Sequence, residues 1–288
     1  MTVHANVVSC VPMATHSTQD LTESMTAVDM KTDLSRLYSN VEFLTRGGFG
    51  YVFTANDEQN IAKILKVTQV HTIANAQELT EEFNLMVMLD HPYIAQVYNL
   101  FSINNICGFE MKVYPIGDLH TAILQRTFTP LHTLALASEV LSGLAYIHSN
   151  QIVHRDIKPG NILLDSRFRG VISDFGLATH VEEIIFGDIV GTDGYIAPEV
   201  LACMEYDTKP DIWSFARILH AVFSGQPDDP LHLHHELVPD CLKELIKNAD
   251  CQNPYHRKSA LWFTMTISAG DSVVSLNSSP KNMYEGSD

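Results

Sequence analysis

The segment HRDIKPGN, His154 to Asn161, constrains the fold of this chain more than any other stretch. It follows a mostly apolar helical pattern, carried by Leu134, Leu136, Ala137, Val140, Leu141, Leu144, Ala145 and Ile147 and ending at His148. Apolar residues on so many sides of a helix require burial inside a sizeable lobe. A strand-like fragment, Ile162 to Leu164, comes next. In the irregular stretch between them an Asp, a Lys two residues on and an Asn three beyond that bring together a proton acceptor, a cation and an amide ligand for a metal. A second strand-like fragment, Val171 to Ser173, runs into SDFGLA at 173 to 178 and adds the carboxylate of Asp174.

Upstream, LTRGGFGYVF at 44 to 53 reads as a glycine-rich phosphate loop entering a strand. Thr45 stands where G-x-G-x-x-G has its first glycine, and Gly47 and Gly50 fill the other two positions. Strand patterns cover Val41 to Leu44, Tyr51 to Thr54, Ile61 to Val67, Ile94 to Phe101 and Cys107 to Val113, with a helix from about Ala76 to Leu89. The chain thus divides into a small sheet with one helix, about 36–113, and a mainly helical part, about 114–268. Residues 1–35 lack a sustained period and are expected to form a flexible leader; 269–288, rich in Ser, Asn and Gly, a disordered tail.

A chain of 288 residues can bury one large core or two apposed lobes. Its formal charge of −16 argues against a surface that grips nucleic acid or anionic lipid. Five scattered cysteines without C-x-x-C spacing argue against a disulfide framework and point to a reducing compartment. The first basic residue is Lys31 and no long apolar run occurs, so neither a signal peptide nor a membrane span is expected.

From Val41 to Lys258 the ordered motifs GGFGYV, IAKILK, HPYI, GDL, HRDIKPGN, SDFGLA, GTDGYIAPE, DIWSFA and the arginine of NPYHRKSA resemble the eukaryotic protein kinases. The resemblance implies an α+β, two-lobed kinase fold: a small antiparallel-sheet N-lobe with one helix and a larger helical C-lobe. It implies ATP and Mg²⁺ as cofactors, Asp156 as catalytic base, Lys158 steadying the transferred group, and Asn161 and Asp174 as metal ligands. Thr45, Gly47, Gly48, Phe49, Gly50, Val52 and Leu163 are the implied nucleotide contacts of loop and cleft. Met111 falls at the gatekeeper position and Val113 within the hinge Lys112 to Pro115. Asp118 either contacts the ribose or only caps the next helix.

Two lysines compete to orient the phosphates and pair with a helix carboxylate. Lys63 is preferred over Lys66 because it directly follows Ile61-Ala62, which leaves Ile61 where the family has a small alanine. Spacing back from His91 selects Glu82 among Glu78, Glu81 and Glu82, with Met86 on the same face. Asp211 is expected to tether the His154-Arg155 backbone, Glu199 and Arg257 to form a buried ion pair, and Trp213 to belong to the core. The HLHH run ending at His235 resembles a metal site but lacks a completing cluster.

Lys158 together with Gly191-Thr192 resembles the serine/threonine branch, so the expected partners are protein substrates with Ser/Thr acceptors, served by a monomer in cytoplasm or nucleus. Asp188, four residues before Thr192, is expected to supply Arg155 with a resident negative charge in place of activating phosphorylation. Thr45 and Ile61 motivate the rival reading of a pseudokinase scaffold with weak nucleotide binding. A kinase-fold enzyme acting on a small-molecule hydroxyl is the other rival, and GTDGYIAPE argues against it. The compact lobes resemble a minimal kinase, as some viruses carry.

Overall fold

A computed structural model describes residues 26–274 apart from 48–49, 71–72, 129, 230–237 and 239. The chain opens with helix α1 (Ala27–Leu34), started by a capping box in which Thr26 Oγ1 accepts from Asp29 N at 3.3 Å and Asp29 Oδ2 accepts from Thr26 N at 2.9 Å. Met30 and Leu34, one turn apart, are fully buried. The expected flexible leader is therefore corrected over 27–34: two turns are too short to establish a period in sequence, yet one apolar face suffices for docking. Residues 1–25 lie outside the described part.

Five strands follow, β1 (Ser39–Gly47), β2 (Gly50–Asn56), β3 (Ala62–Gln69), β4 (Val97–Ile103) and β5 (Ile106–Lys112), in the antiparallel order β1-β2-β3-β5-β4. Helix α2 (Ile73–Val87) connects β3 to β4 and packs Leu79, Phe83 and Met86 against the inner face. The outer face carries its own core, in which α1 meets Phe53, Leu65, Val67 and Ile106.

The second lobe is helical around small sheets. β6 (Gly117–Asp118) pairs with β8 (Ile162–Leu164), which pairs with β9 (Gly170–Ile172); β7 (Ile152–Val153) pairs with β10 (Thr179–His180). Helices α3 (Leu119–Leu124) and α4 (Pro130–Ser149) precede the HRD segment. α5 (Pro198–Leu201), α6 (Lys209–Ser224), α7 (Asp240–Ala249) and α8 (Ala260–Val274) complete the lobe. Nearly every residue of α6 is buried, and Gly225 ends it in the left-handed conformation at φ 71°. α8 runs past residue 268, where the tail was expected to begin; 275–288 and the HLHH run lie outside the described residues. Among the described residues no helix is long and apolar enough to cross a membrane.

Candidate active site

Successive β3 side chains alternate between faces. Lys66 points inward, where its Nζ donates to Glu82 Oε1 and Oε2 at 2.7 and 2.9 Å and to Asp174 Oδ1 at 2.5 Å. Lys63 points outward, to Asp57 at 3.2 Å and Glu110 at 3.8 Å, with Tyr98 beneath its ammonium. The preference for Lys63 is corrected accordingly, for an odd separation on a strand cannot place both lysines on one face. A signal was available: Asp57 to Asn60 is a turn sequence, which leaves Lys63 at the rim of the sheet and Lys66 opposite α2. Ile61 is likewise corrected, being exposed, whereas Ile64, two residues before Lys66, lines the cleft.

Burial opposes the charge on both members of the Lys66–Asp174 pair, but attraction prevails. The carboxylates of Glu82 and Asp174 hold the Lys66 ammonium above its ordinary range despite desolvation. Lys66, by charge and hydrogen bond, holds Asp174 below the usual carboxylate range against its own burial.

The HRD segment is fixed from beneath by Asp211, fully buried on α6, which accepts from His154 N and Arg155 N, each at 2.9 Å, and meets His148 Nε2 at 2.9 Å. Desolvation would raise the Asp211 carboxyl, and the His148 hydrogen bond and charge override it to lower its pKa. Arg155 and Asp174 both adopt positive φ, 67° and 61°, a strained backbone that such anchoring sustains. Asp156 N donates to His154 Nδ1 at 3.3 Å, leaving Nε2 to donate to Ser173 O at 3.0 Å, and the His154 ring meets Phe175 edge-on.

Above this base four side chains converge. Thr192 Oγ1 donates to Asp156 Oδ1 at 2.7 Å, and Lys158 Nζ donates to Asp156 Oδ2 at 2.8 Å and Thr192 Oγ1 at 2.7 Å. Asn161 Nδ2 donates to Asp156 O at 2.8 Å and Oδ2 at 3.0 Å, so its Oδ1 is the atom available to a cation.

A cleft of about 350 Å³ between the lobes is lined by Leu44, Thr45, Gly47, Gly50, Val52, Ile64, Met111 and Leu163, and at its polar end by Lys66, Glu82, Asn161 and Asp174. Apolar walls with a few convergent polar groups suit a nucleotide, and two hard oxygen donors at one end suit Mg²⁺. Asp118 also lines the cleft, and its Oδ1 accepts from Thr121 N at 2.8 Å, which caps α3. Val113 is absent from the described lining, whereas its neighbours Lys112 and Tyr114 belong to it; Gly48 and Phe49 lie outside the described residues.

Asp188 is exposed, and no ion pair joins it to Arg155 among the described residues. Arg155 Nε donates instead to Leu177 O at 2.6 Å, so the expected resident charge is corrected: the loop path carries Asp188 into solvent. Glu199 and Arg257 form the expected ion pair, with Nη1–Oε1 2.6 Å and Nη2–Oε2 3.1 Å, and Trp213 packs beside it.

A family model described as the protein kinase domain matches residues 38–270, and the chain belongs to that family. Calcium-dependent protein kinase 4 of Plasmodium berghei is 38% identical over 200 residues, covering 66% of this chain and 38% of that protein. The protein of the same name from Plasmodium falciparum is 36% identical over the same length. Serine/threonine-protein kinase PLK4 of Drosophila grimshawi is 27% identical over 275 residues, covering 84% of this chain and 35% of that protein. The chain thus spans little more than a third of the length of these relatives.

Proposed function

We propose that this chain is a serine/threonine protein kinase that transfers the γ-phosphoryl group of Mg·ATP to Ser/Thr hydroxyls of proteins. The observation that carries the reading is the network joining Asp156, Lys158, Asn161 and Thr192 at the edge of a cleft whose polar end holds Lys66, Glu82 and Asp174. Mg²⁺ bound with ATP supplies charge neutralisation at the phosphates, and Asn161 and Asp174 are the residues that would hold it. Asp156 accepts the proton of the incoming hydroxyl, and Thr192, by holding Oδ1, fixes the carboxylate's orientation. Lys158 presents a cation beside that carboxylate, where negative charge gathers during transfer. Lys66 aligns the phosphates while Glu82 holds its ammonium in place.

The names of the relatives and the Lys158–Thr192 contact support the serine/threonine class. The strongly negative net charge favours protein over nucleic-acid partners, and the reading extends to a monomer in cytoplasm or nucleus. Radiolabel transfer from ATP to a generic protein substrate tests it. The wild type is expected to transfer label, and Asp156→Asn and Lys66→Met to lose it. Bound nucleotide without transfer by any form would sink the enzyme reading in favour of a scaffold.

A further inference from the structure

We propose that helix α1 is a positioning element for the nucleotide site, holding β3 so that Lys66 and Gly50 keep their places in the cleft. The proposal rests on the reading of that cleft as an ATP site. α1, at 27–34, precedes the region that matches the kinase domain, 38–270. It nevertheless shares one core with the sheet: Met30 and Leu34 pack with Phe53, Leu65, Val67 and Ile106, all fully buried.

The two outward residues capped by α1, Leu65 and Val67, flank Lys66. Strand alternation makes the rotation of Leu65 and Val67 toward α1 and of Lys66 toward Glu82 a single backbone setting. The glycine loop rests on the same stretch, since a Cβ at Gly50 would lie 2.3 Å from Val67 O. On the neighbouring strand Gly108 leaves room for Val67 and Phe101, whose approach a Cβ would block at 2.6 and 2.7 Å.

Polar clamps hold the helix and its exit in register. Asn104 Nδ2 donates to Asp33 Oδ1 at 2.8 Å, and Lys31 pairs with Glu42 at 3.0 Å. Tyr38, just after α1, stacks edge-on to Phe101 and donates to Glu110 Oε1 at 2.8 Å; Glu110 is the β5 partner of Leu65. None of these residues lines the cleft, so their effect on nucleotide passes through β3.

The double variant Met30→Ala/Leu34→Ala thins the contact and substitutes no cleft residue. Titrated with a fluorescent ATP analogue and Mg²⁺ well below its melting temperature, it is expected to bind about tenfold more weakly than wild type. Leu242→Ala, a matched truncation of a fully buried α7 residue, is expected to lower the melting temperature and leave affinity unchanged. Affinity within about twofold of wild type in the double variant, or an equal loss in Leu242→Ala, would overturn the proposal. Should the double variant not fold, the wild type decides. Coupling is reciprocal, so nucleotide must slow hydrogen exchange of the α1 amides, and exchange indifferent to nucleotide overturns the proposal. A wild type that binds nucleotide but transfers no label fails as a kinase while these binding results stand; one that binds none overturns both.

Discussion

Lys63 and Lys66 stand three residues apart on one strand and serve opposite faces of the sheet. Lys66 joins Glu82 at 2.7 Å in the cleft, while Lys63 joins Asp57 at 3.2 Å on the outer surface. The inner ammonium is the member of the pair that can meet a ligand in the cleft, because it is held there by Glu82 and Asp174 at the polar end.

Lys66→Met is therefore expected to abolish detectable phosphoryl transfer and to cost stability on the order of 3 to 5 kcal/mol, since it strands the buried Glu82 carboxylate. Lys63→Met is expected to leave nucleotide affinity unchanged. Parallel ATP titration, label transfer and urea denaturation separate the two.

The two described glycines of the loop should respond differently to alanine. A Cβ at Gly47 meets nothing within 4 Å, so Gly47→Ala should change stability by no more than about 0.5 kcal/mol. Gly50 has φ +144° and would drive its Cβ into Val67 O, so Gly50→Ala should cost about 1 to 3 kcal/mol or more. Denaturant midpoints of the purified variants check both.

Asp188→Ala should leave the rate of transfer within about twofold of wild type, the range of a surface change that touches no functional group. Steady-state kinetics on one protein substrate is the measurement, and a large loss would restore the resident-charge reading.

The Asp211 carboxyl titrates below its ordinary value in the folded chain, so its contribution to stability is present above the unfolded pKa and lost as pH falls through the lower folded one. The stability difference between wild type and Asp211→Asn should thus be greatest above about pH 4 and shrink below it. Urea unfolding at neutral and acid pH measures it.

Arg257→Met removes the partner of a Glu199 side chain with 0% exposure, and a loss of about 3 to 5 kcal/mol is expected. Nucleotide affinity, measured well below the melting temperature, should hold, because neither residue lines the cleft.

Much of the candidate site's geometry was legible because the HRD segment is local. Asp156, Lys158 and Asn161 fall within six consecutive positions, and such spacing limits which groups can meet whatever the rest of the chain does. Asp211 could be assigned to the loop only through family likeness, for nothing in the residues between them reports a contact spanning 57 positions. The short helix α1 was illegible for another reason: its two buried residues acquire meaning only against Leu65 and Val67 of a strand not yet folded.

The sequence by itself determined the order of motifs, the division into a sheet-bearing and a helical lobe, and which side chains the HRD segment brings close together, because side-chain type and close spacing act before any long-range contact forms. Tertiary structure alone decided which lysine meets Glu82 and Asp174, the latter 108 positions away, where Asp188 points, and what covers the outer face of the sheet. Those outcomes depend on strand register and loop path, and a shift of one residue in either reverses the face on which a side chain emerges.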